Sequence, residues 1–223
     1  MPSRKTDNRE AMTMTTSRRG FLTSTGSATL AVVLTGNTAG ATRTDQRPQV
    51  PIDTKDLIDP WIELDLDNLA SNVREVRRRI GDRPIMAVVK CNAYGHGDVE
   101  IAVALQEHSN VRHFMVVKTR EAVALRGAGI TGMILNAGVF TPSDVDPLLD
   151  AGISQAVFSD AVDALAAGAR RAGKIAKVHI YVDTGMGRVG VPSRDALPFI
   201  EKVAGMPEVL IEGVFTDMTE DDD

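Results

Sequence analysis

The sequence predicts an α/β fold that is built on a parallel β-sheet. From residue 85 onwards, six short apolar segments alternate with amphipathic helical segments. The apolar segments are continuous rather than alternating, which is typical of strands that are buried on both faces. The connections from helix to strand are brief and several contain glycine, as at Gly127, Gly129 and Gly173, which is expected of βα units.

The elements can be placed in order along the chain. Residues 61–66 alternate apolar and charged side chains, which predicts a half-buried strand, and a helix follows that Asp67 caps and Gly81 ends. The six repeating strands are predicted at residues 85–89, 113–117, 133–135, 155–158, 178–182 and 211–215. The helices between them are predicted at residues 98–107, 119–126, after Pro142, at 160–171 and at 193–203.

Two architectures agree with this alternation, an open doubly wound sheet and a (β/α) barrel. A complete barrel contains eight βα units and about 250 residues. Only six repeating strands are found here, and a barrel with two strands missing would leave two unpaired edges. The chain is therefore expected to be either an open sheet or the N-terminal part of a barrel that belongs to a longer protein.

Composition excludes several classes of partner. The 223 residues include 25 Lys and Arg against 30 Asp and Glu, a net charge of -5, which offers no broad attraction for nucleic acid or an anionic bilayer. The single Cys91 excludes an intrachain disulfide and a zinc site built on several thiolates. The histidines lack the spacing of a metal site; they are His96, His108, His113 and His179. The partner expected is a small molecule.

The first part of the chain resembles an export signal. Residues 17–22 (SRRGFL) are followed by a moderately apolar stretch, which ends in residues 39–41 (AGA), a small-x-small site that a signal peptidase could cut after Ala41. We expect a twin-arginine-type signal at residues 1–41, a linker at 42–59 and a periplasmic or extracytoplasmic location. The stretch is shorter than the roughly 20 apolar residues of a membrane span, so no stable span is expected. The alternative is a basic tail with a chance Arg-Arg pair.

The first motif with chemical potential lies at residues 88–97 (VVKCNAYGHG). Lys90 stands where an apolar strand emerges into a loop punctuated by glycine, and the carboxyl ends of parallel strands are where sites are built. Partial burial there favours a neutral, nucleophilic amine that could form a Schiff base. The alternative is a lysine that extends from the rim of the sheet to solvent. The neighbouring Cys91 is expected to be buried and unreactive.

The second motif lies at residues 179–190 (HIYVDTGMGRVG). Gly185, Gly187 and Gly190 match the G-x-G-x-x-G pattern of dinucleotide-binding folds. In those folds the third glycine lies inside a helix, whereas Pro192 makes a helix through this point unfavourable. The pattern therefore predicts a tight loop that carries Arg188 over the end of the sheet.

Together the two motifs resemble those of alanine racemases, which are pyridoxal 5'-phosphate enzymes. That family has V-K-A-N-A-Y-G-H-G, then V-D-T-G-M-G-R-x-G, and a first strand similar to residues 61–69, so the resemblance covers residues 61–216. It implies a TIM-type (β/α) barrel of which residues 60–223 form the N-terminal part, about six of eight units. The C-terminal β domain of the family would then be absent from this chain.

The resemblance also implies roles for individual residues. Lys90 would hold pyridoxal 5'-phosphate as a Schiff base and act as one of two acid/base groups that interconvert L- and D-alanine or another amino acid. Tyr94 would help to seat the cofactor phosphate, and Arg188 would lie beside the substrate. The full-length form would be a homodimer.

Two positions depart from the family pattern. Tyr181 replaces a lysine that is carbamylated in many members, so we expect Arg188 to be held less firmly. Asp217 replaces a histidine and is expected to add negative charge beside the cofactor ring. The second base of the family lies in the C-terminal domain. The alternative functions are therefore a non-catalytic pyridoxal phosphate-binding protein and an inactive truncated racemase fragment.

Overall fold

A computed structural model describes residues 13–17 and 61–219 of the chain. The chain divides into two compact units, Met1–Leu66 and Asp67–Asp223. In the first unit, strand β1 (Thr13–Ser17) pairs antiparallel with strand β2 (Trp61–Asp65). Strand β1 falls within the predicted export signal. The rest of that signal and the predicted linker lie outside the described residues.

The second unit repeats strand and helix as the sequence predicts. Its strands are β3 (Met86–Val88), β4 (His113–Val116), β5 (Met133–Asn136), β6 (Ser154–Val157), β7 (Ala176–Asp183), β8 (Val191–Pro192) and β9 (Val209–Phe215). The helices are α1 (Leu66–Ile80), α2 (Asp98–Ser109), α3 (Thr119–Gly127), α4 (Val145–Asp150), α5 (Ala161–Ala172) and α6 (Ala196–Ala204). Short 3-10 turns, Pro142–Asp144 and Ser193–Asp195, lead into α4 and α6.

The order of the strands decides between the two predicted architectures. Strands β3, β4, β5, β6, β7 and β9 are all parallel and lie side by side in that order, while the short β8 pairs with the end of β7. A doubly wound sheet reverses its strand order at a switch point, and this sheet does not. The fold is therefore the barrel type, with β3 and β9 as the outer strands of the part described.

The packing agrees with a barrel wall, because helices cover one face of the sheet. Two apolar clusters join strands to helices, one around Phe114 and Leu125 and the other around Ile180 and Leu165. A third cluster lies on the opposite face and contains only strand and loop residues. Its buried members are Leu135, Ala156 and Tyr181. In a doubly wound sheet, helices would cover both faces.

The start of α1 differs from the prediction. The helix begins at Leu66, so Asp67 lies inside its first turn rather than capping it. A carboxylate in the first turn still interacts favourably with the positive end of the helix dipole. The predicted end is confirmed, because Gly81 has a φ of +67° and its N–H donates to the carbonyl of Arg77 at 2.9 Å.

Residues 13–17 and 61–219 contain neither a membrane-spanning helix nor a metal-binding cluster. None of the helices described is both long and apolar enough to cross a bilayer. The same residues hold no group of three or more His, Cys, Asp and Glu side chains arranged to bind a metal ion.

Candidate functional site

Both sequence motifs follow the carboxyl ends of strands in the parallel sheet. Lys90 is the second residue after the end of β3, with Val89 between them, and Arg188 lies in the loop that follows β7. Loops at this edge of a (β/α) barrel carry the active site in essentially every characterised enzyme of the fold. The candidate site is therefore built from the two loops.

The lysine lies in an unusual backbone segment, Lys90–Tyr94, which we call the lysine turn. It is a single helical turn in which Cys91, Asn92, Ala93 and Tyr94 have φ values of 55°, 59°, 47° and 56°. Left-handed conformations cost roughly 1–2 kcal/mol for each residue with a Cβ atom. Four consecutive non-glycine residues of this kind need strong support from their surroundings, and such strain is typical of functional sites.

Local hydrogen bonds provide part of that support. The N–H of Ala93 donates to the carbonyl of Val89 at 3.0 Å, and Ala93 is buried in the core beneath the turn. The carbonyl of Asn92 accepts from the N–H groups of Gly95 and Gly97, both at 2.9 Å. Because Gly95 and Gly97 have φ values of 96° and 91°, they reverse the chain into α2 at little steric cost.

A side chain from helix α3 also stabilises the lysine turn. The carboxylate of Glu121 on α3 accepts from the N–H of Cys91 at 3.1 Å and from the N–H of Val117 at 3.2 Å. Glu121 is only 7% exposed. It therefore fixes the lysine turn to the end of β4. Nothing in the sequence distinguishes this glutamate from the other carboxylates on helices, so its role was not predicted.

The amine of Lys90 is available for chemistry. Its side chain is half-buried, and among the residues described it has no hydrogen bond or ion pair. The Nζ atom lies 6.0 Å from the centroid of the Tyr94 ring, and Tyr94 itself is 63% exposed. The prediction that Cys91 is buried is wrong, because the left-handed turn directs it outwards and its side chain is exposed.

The second motif forms a tight loop, residues 184–190, which we call the glycine loop. Asp183 at the end of β7 organises it, since its Oδ1 atom accepts from the N–H groups of Gly185 and Gly187, both at 3.0 Å. These bonds lower the pKa of Asp183, that from Gly187 most. Gly190 has a φ of +112°, and a Cβ there would lie 2.7 Å from the backbone nitrogen of Asp183.

This geometry excludes a dinucleotide-binding role for the three glycines. The loop leads into strand β8 (Val191–Pro192) and a 3-10 turn, and helix α6 begins only at Ala196. In the dinucleotide fold the helix begins within the motif, so that its N-terminus binds the pyrophosphate. The glycines shape a turn instead, as the position of Pro192 predicts.

Arg188 has two partners at the end of the sheet. Its guanidinium forms an ion pair with Oδ2 of Asp217, and the hydroxyl of Tyr181 donates to that same oxygen at 3.3 Å. The pKa of Arg188 is raised, first by hydrogen bonding with Tyr181 and then by the charge of Asp217. Asp217 thus supplies the opposite charge that the phenol of Tyr181 lacks. The expectation that Arg188 is held less firmly than beside a carbamylated lysine stays a prediction.

Tyr181 is fixed by aromatic contacts. Its ring stacks on Phe215 with 4.4 Å between centroids, and it meets the edge of Phe158 at 6.1 Å. The glycine loop is joined to the segment after β9 by a hydrogen bond of 2.7 Å between the hydroxyls of Thr184 and Thr216. The aromatic contacts were not predicted, because they depend on the order of the strands.

The structure groups the predicted site residues in two sets. Lys90 and Tyr94 share the lysine turn, and Arg188 lies with Tyr181 and Asp217. Between 61 and 219, no hydrogen bond or ion pair joins the two sets, since strands β4, β5 and β6 separate β3 from β7. Both sets lie at the carboxyl edge of the sheet.

A buried histidine lies on strand β7, which also carries Tyr181 and Asp183. His179 on β7 is 8% exposed, its Nε2 atom has no hydrogen-bond partner, and its ring contacts that of Phe215 at 6.4 Å between centroids. Burial lowers its pKa more than the carboxylate of Glu212 raises it. The group is therefore neutral at physiological pH.

Comparison with known proteins agrees with this arrangement. The family profile described as "Alanine racemase, N-terminal domain" matches residues 64–223. An alanine racemase of Clostridium perfringens is 39% identical over 165 residues, which are 73% of this chain and 42% of the relative. One of Methanococcus maripaludis is 36% identical over 165 residues, which are 73% of this chain and 44% of the relative. The chain thus spans less than half the length of these relatives.

Solved structures give the same result. The alanine racemase of Clostridium difficile 630 in complex with cycloserine aligns with a TM-score of 0.67 and 31% identity, over 70% of this chain and 43% of that one. A histidine racemase of Leuconostoc mesenteroides aligns with a TM-score of 0.65 and 25% identity, over 70% of this chain and 42% of that one. This chain belongs to the alanine racemase family, which depends on pyridoxal 5'-phosphate.

Proposed function

We propose that the protein acts as an amino-acid racemase in which Lys90 binds pyridoxal 5'-phosphate covalently and transfers a proton at the α-carbon of the substrate. The observation that carries the proposal is the state of Lys90. Its amine is half-buried at the carboxyl end of β3 and has no hydrogen bond or ion pair among the residues described. Such an amine is free to attack an aldehyde.

The side chains of Lys90, Tyr94 and Arg188 match the chemical groups of the cofactor. The cofactor carries an aldehyde, an aromatic ring and an anionic phosphate. The lysine turn offers an amine with the Tyr94 ring 6.0 Å away, and the phenol of Tyr94 is exposed and able to donate to a phosphate. Arg188 adds a cation at the same edge of the sheet. When bound, the cofactor withdraws electrons from the α-carbon and so stabilises the carbanion that remains after proton loss.

Each residue then has a distinct task. With cofactor and substrate bound, the amine of Lys90 would be the group that removes and returns the α-proton on one face. The rigid lysine turn restricts the directions in which that amine can point, which favours a reactive geometry. Arg188 orients anionic groups of the substrate or cofactor through charge-assisted hydrogen bonds. Inversion also requires a base on the opposite face, for which we propose a residue outside this chain.

The substrate that we propose is alanine, with other amino acids as further candidates. The curated relatives are alanine racemases, and one structural neighbour is a histidine racemase. The carboxylate and amine are common to all such substrates. The residues that surround the substrate side chain therefore determine which amino acids are accepted. This substrate range is best measured with a panel of L-amino acids.

Exchange of the α-proton tests the proposal. The protein is incubated with pyridoxal 5'-phosphate and L-alanine in heavy water, and deuterium at the α-carbon is followed by mass spectrometry. We expect incorporation that is abolished by Lys90→Ala. The matched control is Lys118→Ala, since Lys118 follows the end of the neighbouring strand β4 and is exposed. Incorporation that persists in Lys90→Ala would contradict the proposal.

The same experiment identifies the alternative functions. A non-catalytic pyridoxal phosphate-binding protein would attach the cofactor at Lys90 without any deuterium exchange. An inactive racemase fragment would give the same result with this chain, while a longer form with the second base would exchange. Sedimentation of that longer form tests its proposed dimeric state.

Export by the twin-arginine route is a separate proposal. It rests on Arg18 and Arg19 ahead of a weakly apolar stretch that ends at Ala41. Replacement of both arginines by lysine is expected to retain the protein in the cytoplasmic fraction, whereas the unchanged protein is expected outside the cytoplasmic membrane. Equal distribution of both forms would contradict the proposal.

A further inference from the structure

We propose that Asp217 is a positioning residue for Arg188, because it supplies the fixed negative charge that holds the guanidinium at the end of the sheet. This inference rests on the proposed function of Arg188 beside the substrate. It also explains how the site can work with an uncharged phenol at position 181. The two departures from the family pattern, Tyr181 and Asp217, then form one compensating pair.

The contacts assign the charge to Asp217 rather than to Tyr181. Asp217 is the carboxylate that forms an ion pair with Arg188, and both side chains are partly exposed. The Tyr181 hydroxyl donates to the same Oδ2 atom at 3.3 Å. Two donors on one oxygen restrict the carboxylate more than either does alone. Arg188 is therefore oriented by a carboxylate that is itself held in place.

The buried ring of Tyr181 supports the pair of Asp217 and Arg188. Its side chain is 4% exposed and lies between Phe215, which stacks on it, and Phe158, which meets it at 89° between ring planes. A buried ring held on two sides has few alternative rotamers. Its hydroxyl therefore marks a fixed point from which the position of Asp217 is determined.

The ends of β7 and β9 are also joined independently of the charges. The hydroxyls of Thr184 and Thr216 hydrogen-bond at 2.7 Å, next to the glycine loop and to Asp217. This bond keeps the two segments together when the charge of Asp217 is removed. An Asp217→Asn variant therefore changes the charge and retains the approach of the two segments, which makes it a specific probe.

Chemical modification of Arg188 in the unliganded protein tests the inference. An arginine-specific dicarbonyl such as phenylglyoxal reacts with the unprotonated guanidine, so the hydrogen bonding with Tyr181 and the charge of Asp217, which both raise the pKa of Arg188, slow the reaction. We expect the rate at Arg188, followed by peptide mapping, to rise about threefold in Asp217→Asn, which is the effect of a surface ion pair. Asp217→Glu should restore slow modification, and Tyr181→Phe, which removes the hydroxyl, should also raise the rate.

The matched control is Asp195→Asn. Asp195 forms an exposed ion pair with Arg194 at 3.4 Å, so its replacement should leave the rate at Arg188 unchanged. Each variant is first melted and followed by circular dichroism, so that rates are compared only in folded proteins. If Asp217→Asn does not fold, the comparison of Tyr181→Phe and Asp217→Glu with the unchanged protein decides. Equal rates at Arg188 in every folded variant would overturn the inference.

Labelling of Lys90 separates this outcome from that of the proposed function. Incubation with pyridoxal 5'-phosphate, followed by borohydride reduction, marks the lysine that binds the cofactor. If Lys90 is not labelled in the unchanged protein, the proposed function fails while the result at Arg188 stands. If Lys90 is labelled and Arg188 reacts equally fast with and without Asp217, only the positioning inference fails.

Discussion

The backbone N–H of Cys91 donates a hydrogen bond to the side chain of Glu121, 30 residues later in the chain. The second oxygen of that carboxylate accepts from Val117 at the end of β4. A single buried side chain therefore joins the left-handed lysine turn to the neighbouring strand. The direction in which Lys90 points depends on a residue of helix α3 that lies outside both sequence motifs.

Replacement of Glu121 by glutamine should loosen the lysine turn. An amide offers one acceptor oxygen where the carboxylate offers two, so one buried N–H loses its partner, at a cost of about 2 kcal/mol in the free energy of unfolding. Urea unfolding measures the loss, and hydrogen exchange should be faster at Cys91 or Val117. The control is Glu107→Gln on α2, which is exposed and should change stability by less than about 0.5 kcal/mol. Equal effects of the two substitutions would contradict this interpretation of the turn.

Replacement of Gly190 by alanine should disrupt the glycine loop. The φ of +112° is unfavourable for any residue with a Cβ atom, and that Cβ would lie 2.7 Å from the nitrogen of Asp183. We expect a loss of about 2 kcal/mol in the free energy of unfolding, measured in urea. Gly205→Ala is the matched control, since Gly205 has a φ of -76° and its added Cβ would meet no atom closer than 3.4 Å. A Gly190→Ala variant as stable as this control would show that the loop tolerates a side chain.

His179 should make the stability of the fold dependent on pH. Burial lowers its pKa in the folded state, so the unfolded chain binds a proton more readily. Stability is then complete above the unfolded-state pKa of about 6.5 and falls as the pH drops towards the folded-state value, by at most about 1.4 kcal/mol per pH unit.

Thermal unfolding between pH 8 and pH 5, a range of about three units around that pKa, measures this dependence. The variant His179→Phe retains an aromatic ring without a titrating group, so its midpoint should fall less over the same range. The control His108→Gln changes an exposed histidine at the end of α2 and should keep the original dependence. The hypothesis fails if His179→Phe and the unchanged protein lose stability equally.

Much of the fold could be predicted because local patterns decide it. Continuous apolar runs predict each strand of the repeat, and the position of Pro192 predicts a loop rather than a helix at Gly190. The barrel could not be separated from a doubly wound sheet, because strand order depends on contacts between distant segments. The start of α1 was placed after Asp67 because aspartate is favoured both at the capping position and in the first turn of a helix.

The sequence predicted which residues form the candidate site but not the conformation and contacts that hold them. Lys90, Tyr94 and Arg188 were chosen from motifs and from resemblance, and their roles stay predictions. The left-handed lysine turn was not foreseen, since it needs Glu121 from another helix to stabilise it. The ion pair of Arg188 with Asp217 was also missed, because it joins the ends of two strands that are separated in the chain.

The proposed racemase activity requires a covalent link between the amine of Lys90 and the cofactor. The most direct measurement is reduction of the protein with borohydride after incubation with pyridoxal 5'-phosphate, followed by peptide mapping. We expect a pyridoxyl group on the peptide that contains Lys90 and none on the peptide that contains Lys118. A label that falls on Lys118 or another lysine, with Lys90 unmodified, would contradict it.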